Sequence, residues 1–229
     1  MKYASVTDRL AGLGGAKWAL HARARAMKAA GEDIIEFTIG EPDVPTPTAF
    51  IEIAQRSMAS GRTGYSNGRG EPGVVAALAA RYSARRGRPI GPDQIMCLPG
   101  TQTVLYAILR TLVETGDEVL IGDPMYATYE GLIAQTGATA VPVTLHPEKG
   151  FRMQVADVEA RITPRSRVLF LNTPHNPTGA VLRPEDIRAL GELALINLVV
   201  RRQHTRHAGH PQPLASMTFG SCRTKSMKT

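Results

Sequence analysis

From Gln94 to Ala194 the chain alternates short apolar, β-branched runs with amphipathic stretches of roughly a dozen residues. Gln94–Leu98, Glu118–Ile121, Thr139–Thr144 and Val168–Leu171 read as strands. Thr101–Glu114, Tyr126–Thr136, Val155–Ile162 and Pro184–Ala194 read as helices. A helix between two strands supplies the crossover that lets them lie parallel. The alternation therefore predicts an α/β fold, a mostly parallel sheet flanked by helices. Upstream, residues 5–30 read as one helix stopped at Gly31, and Ile34–Ile39 as a short strand. Thr48–Ala59 and Val74–Arg85 read as helices, separated by a loop at Gly61–Gly73 that carries five glycines. Three prolines between Glu41 and Pro47 remove donors and fix φ, which excludes regular structure there.

Composition narrows the function classes. A hydrophobic content of 43% and a charged content of 21% are those of an ordinary globular protein. No apolar run is long enough to span a bilayer, and the N-terminus lacks the apolar core of a secretory signal. A cytoplasmic protein is the expectation. The net charge of +7 would suggest nucleic acid, but its distribution argues otherwise. Arg201, Arg202, Arg206, Arg223, Lys225 and Lys228 lie in residues 195–229, which hold no Asp or Glu. The rest of the chain is close to neutral, so nucleic acid is not the expected partner. Cys97 and Cys222 fit neither a disulfide framework nor a metal spacing.

In sheets of this kind ligands bind beyond the carboxyl ends of the strands, so the loops after the strands carry the information. Pro99–Gln102 joins a strand to a helix. Gly100 lets a ligand approach the backbone, the helix start offers free N–H groups, and Thr101 adds a hydroxyl, as a phosphate seat requires. The same residues also suit an ordinary turn in which Thr101 caps the helix. Asp123–Tyr129 follows the next strand. Tyr126 there suits a flat heteroaromatic ring, or a place at the rim of the core. Asn172–Gly179, with two prolines, suits a rigid turn of the kind that can hold a cis bond and fix an Asn amide toward a ligand oxygen, or a plain connecting loop with Thr178 or Gly179 near a helix start. Gly40, in Ile39–Asp43, offers an unhindered N–H, or merely links an arm to the body.

In order, the strings IGEPDVPTP, GYSNGRGEPG, PGTQ, DPMYATYEG and NTPHNPTG resemble the class I/II (fold type I) aminotransferases, which use pyridoxal 5'-phosphate. The resemblance runs from about residue 5 to residue 194 and implies transfer of an amino group between an amino acid and a 2-oxo acid, in a homodimer. It implies that Gly40 contacts the substrate carboxylate and that Tyr65 reaches the partner subunit's cofactor phosphate. It further implies that Gly100, Thr101 and Gln102 seat the phosphate, that Tyr126 stacks on the pyridine ring, and that Asn176 bonds its phenolic oxygen, with Asn176–Pro177 cis. Residues 1–45 would then be an N-terminal arm with part of a small domain. Residues 46–194 would be an incomplete cofactor-binding large domain, and 195–229 an aberrant, disordered tail.

The chain departs from the family after Ala194. No Asp follows to pair with the pyridine nitrogen, no Schiff-base lysine, and no arginine to grip the substrate carboxylate; Lys225 and Lys228 lack the family's context. A one-base shift of reading frame across Met217–Thr229 permits HDIWVVSDEVYED, which resembles the family's next motif. A frameshifted tail, with residues 195–216 in excess of the usual spacing, is therefore the expectation. Within that tail Leu195–Val200 is the one stretch able to form a strand. A chain so truncated is expected to be inactive and to leave an apolar sheet edge and face exposed, with poor solubility. The competing readings are a non-catalytic interaction protein, with a dimerising scaffold and basic tail, and a lyase or synthase of the same fold.

Overall fold

The computed structural model describes residues 2–40 and 43–200. Of the aberrant tail expected over residues 195–229, residues 201–229, which include the stretch expected to be frameshifted, lie outside the described residues. Two compact units form, one from residues 1–118 and 125–140 and the other from 119–124 and 141 onward.

In the first unit the expected helix over residues 5–30 is two, α1 (Val6–Leu10) and α2 (Gly15–Ala29), because the glycine-rich stretch between them breaks the ladder. Helix α3 (Thr48–Ala59) has the expected bounds. Helix α4 spans Pro72–Arg86, with Pro72 in the first turn, where its missing N–H costs nothing. Val75 and Ala79 are its buried residues. Helix α5 (Thr101–Leu112) buries Leu105 and Leu109 and packs on α6 (Tyr129–Ala134), whose Ile133 is fully buried. Helix α1 packs on α6 as well, and Arg9 Nε donates to the Ala134 carbonyl at 3.1 Å.

Two expected strands of this unit do not form. Ile34–Ile39 is extended, with Ile34, Glu36 and Thr38 half-buried and Ile35, Phe37 and Ile39 exposed, but no described strand pairs with it. The alternation of faces is there without the ladder, because strand pairing needs a neighbour that a local pattern cannot supply. Gln94–Leu98 is likewise no strand: Pro92–Gln94 is a 3₁₀ turn, and the Cys97 N–H bonds the Arg69 carbonyl at 2.9 Å.

The second unit is built on a parallel three-stranded sheet of order β2-β1-β3, flanked by helices. Its strands are β1 (Glu118–Asp123), β2 (Thr139–Thr144) and β3 (Ser166–Phe170). The central place of β1 accounts for its unbroken burial: Val119, Leu120 and Ile121 are 3% exposed or less. Helices α7 (Val155–Glu159) and α8 (Pro184–Ala194) close the core. Leu120, Val143, Leu145, Met153, Val158, Leu182, Leu190 and Leu193 pack in one cluster. Full burial of such a side chain contributes about 1.5–3 kcal/mol. Arg152 grips Asp186 at the start of α8 through both carboxylate oxygens, at 3.1 and 2.8 Å, and the Arg183 N–H donates to the same carboxylate at 2.9 Å. Burial opposes ionisation of Asp186, but these donors outweigh it and hold its carboxyl below the ordinary value. Leu195–Val200 is a π-helical turn continuing α8 rather than a strand. A short apolar run does not distinguish helix from strand by period alone.

Candidate functional site

Helix α5 begins where Gly100 turns the chain. Gly100 holds φ 81° and ψ 151°, a backbone conformation that side chains with a Cβ disfavour. Nothing stands within 4 Å of where its Cβ would be, so the glycine serves the turn and leaves the space before it open. The first N–H groups of a helix have no intrahelical acceptor, and no side chain caps this one. Thr101 is therefore not the cap; it sits exposed in the first turn with its hydroxyl beside the free N–H groups. Those groups and the helix dipole make a place for an anion.

Gln102 joins this helix start to a second segment. Its Nε2 donates to Thr128 Oγ1 at 2.7 Å, across a sequence separation of 26 residues. Tyr126 lies two residues before Thr128 and is half-buried. Its ring meets that of Tyr129 edge-on, with centroids 5.4 Å apart and planes at 68°. Burial, and then the proximity of Tyr126, push the Tyr129 hydroxyl pKa up, so the Tyr129 ring stays a neutral phenol. The helix expected from Tyr126 starts only at Tyr129, whose N–H closes a turn onto the Tyr126 carbonyl at 3.0 Å. The structure thus brings Gly100, Thr101 and Gln102 together with the Tyr126 segment inside one unit. Thr128, which makes that link, was not picked out in the sequence; its only signal is a hydroxyl two residues after Tyr126.

Asn176 belongs to the second unit, in the loop that follows β3. Thr173–Pro174 and Asn176–Pro177 are cis, as is Asp123–Pro124. The loop closes on itself. The His175 N–H bonds the Ala180 carbonyl and the Gly179 N–H bonds the His175 carbonyl, both at 2.7 Å. His175 Nδ1 meets Thr178 Oγ1 at 2.7 Å, and burial lowers the histidine's pKa, so the ring serves as a neutral strut. The Asn176 amide is exposed and makes no hydrogen bond among the described residues. Tyr65 is fully exposed in the loop between α3 and α4, and Gly40 is exposed at the end of the extended segment. Neither is brought to the α5 start by any described hydrogen bond. No three metal-ligating side chains cluster among the described residues, and no described helix is long and apolar enough to cross a membrane.

Residues 32–200 match the family model of aminotransferase class I and II. The chain is 41% identical over 195 residues to arginine–pyruvate transaminase AruH of Pseudomonas aeruginosa, covering 85% of this chain and 50% of that protein. It is 34% identical over 177 residues to the aspartate/prephenate aminotransferase of Thermus thermophilus, covering 77% of this chain and 46% of that one. The structure of aspartate aminotransferase from Thermus thermophilus with maleate superposes with a TM-score of 0.79 at 32% identity, over 86% of this chain and 51% of the other. The chain spans about half the length of the relatives it matches. With residues 32–200 matched and the fold shared, the chain belongs to the class I and II aminotransferases, whose members use pyridoxal phosphate.

Proposed function

We propose that this chain carries the cofactor-seating half of an aminotransferase that moves an amino group between an amino acid and a 2-oxo acid, as a homodimer. One observation carries the reading: an uncapped helix start with an exposed hydroxyl is tied by Gln102–Thr128 to a segment bearing a half-buried tyrosine. A phosphate needs the first and a pyridine ring the second, so the residues present fit pyridoxal phosphate. When bound, it supplies an electron sink that lets the amino acid's Cα proton leave.

The chain's own residues bind and orient. The α5 N–H groups and Thr101 Oγ1 donate to the phosphate, and Gln102 keeps the helix start in register with Tyr126, which stacks on the ring. In the second unit the exposed Asn176 amide, without a partner among the described residues, is available to donate to a ligand oxygen. Gly40 N–H donates to the substrate carboxylate. Tyr65, standing clear of its own chain, reaches the partner subunit's phosphate. We assign no lysine to the proton transfer, so binding, not turnover, is the test. Titration of the full chain with pyridoxal phosphate should give saturable binding. Thr101→Val should weaken it about tenfold, the factor lost with one hydrogen bond to a charged group. Tyr126→Ala should weaken it similarly. Unsaturable binding, or equal affinity in all three proteins, would remove the reading.

A further inference from the structure

Gly40 ends an extended segment that no described strand holds, yet its position matters to the function proposed above. What fastens the segment is a side-chain cluster on α2. Thr38 Oγ1 donates to Glu36 Oε1 at 2.7 Å, and His21 Nδ1 lies 2.7 Å from the same hydroxyl and 2.9 Å from the same carboxylate oxygen. A hydroxyl has one proton. Since Thr38 gives it to Glu36, it accepts from His21, which places the ring proton on Nδ1. His21 Nδ1, Thr38 Oγ1 and Glu36 Oε1 then close a triangle. The side chains of His21 and Glu36 are only 16% and 23% exposed, so water competes weakly. The bond from Thr38 holds the Glu36 carboxyl below its ordinary value; burial opposes this, and His21 and Lys28 reinforce it. Glu36 is therefore an ionised acceptor throughout the neutral range.

The placement is specific. Glu36 and Thr38 share one side of the extended chain, as period-two geometry requires, and that side meets His21. The chain bends at Thr38 and Ile39, immediately before Gly40. We propose that the His21–Thr38–Glu36 clasp is a positioning device: it fixes the bend and so sets the direction of the Gly40 N–H, with Thr38 as the positioning residue. The assignment of Gly40 to the substrate carboxylate rests on the proposed function; the clasp itself does not.

The chain contains its own reporter. Its single tryptophan, Trp18, meets the His21 ring edge-on, with centroids 6.0 Å apart and planes at 77°. Thr38→Val keeps the shape and removes the hydroxyl. It should speed chymotryptic cleavage after Phe37, which is 90% exposed, about tenfold, the factor lost with a bond to a charged group. Trp18 emission should shift with it, while the urea midpoint of the second unit stays unchanged. Thr38→Ser should restore both. In chain loaded with pyridoxal phosphate, pyruvate affinity should fall in Thr38→Val and recover in Thr38→Ser. Cleavage and emission like those of the wild type in Thr38→Val would overturn the clasp. Faster cleavage with unchanged pyruvate affinity would overturn its positioning role. A wild-type chain that binds no pyruvate would sink the functional reading instead, and cleavage would still decide the clasp.

Discussion

The second unit and the first sixty residues treat similar apolar patterns in opposite ways. In the second unit Leu190 of α8 is wholly buried within a cluster that draws on β1, β2, α7 and α8. Helix α3 is just as regular, yet it buries nothing: Phe50 is 62% exposed, and Ile51, Ile53 and Met58 are exposed as well. An amphipathic pattern fixes which face of a helix is apolar. Whether that face is covered depends on residues elsewhere in the fold. The comparison separates what is locally determined, the helix, from what is not, its partner.

The largest expected effect is at the covered end. Leu190→Ala should destabilise the second unit by about 2–5 kcal/mol, as a cavity in a packed core does, read as a fall in the urea midpoint by circular dichroism. Next comes the backbone. Gly137 holds φ 89°, and a Cβ there would collide with Thr115. Gly137→Ala should cost about 1–3 kcal/mol in the first unit, showing that its central part, unlike α3, is tightly fitted. The third test is acid. Asp186 titrates below its ordinary value of 3.8 in the folded chain. Its contribution is therefore complete above that value and is lost as pH falls through the lower folded value. Asp186→Asn should flatten the acid limb of the stability curve and leave it shallower than wild type. The smallest effect is at the uncovered end: Phe50→Ala should change stability by no more than about 0.5 kcal/mol. A cost approaching that of Leu190→Ala would show that α3 is covered in solution and would break the comparison.

The same division decides what could be read from the residues. The bounds of α3, β2 and α8 agree with the sequence reading to the residue, because local period and punctuation by proline set them. Ile34–Ile39 and Gln94–Leu98, which read as strands, and Leu195–Val200, which reads as able to form one, form none, because an apolar run does not carry the identity of its neighbour. In the candidate site, the place of Gly100 and Thr101 at a helix start was legible from a glycine between a strand-like run and a helical one. Capping by Thr101, left open by the sequence, does not occur. The Gln102–Thr128 bond was not legible, since it joins residues far apart in the chain. Nor was the His21 clasp, which sets a histidine against an acidic residue and a threonine in a segment whose pattern spoke only of a strand.

The Gln102–Thr128 bond also bears on molecular size. It ties the two segments through side chains, beside the packing of α5 on α6, so the gap between the start of α5 and Tyr126 has an adjustable gauge. Shortening Gln102 to Asn, or exchanging Thr128 for Ser, would reset that gauge without touching a strand. On the proposed function, the breadth of phosphorylated ring that fits between the two segments is therefore open to tuning by selection at two exchangeable positions.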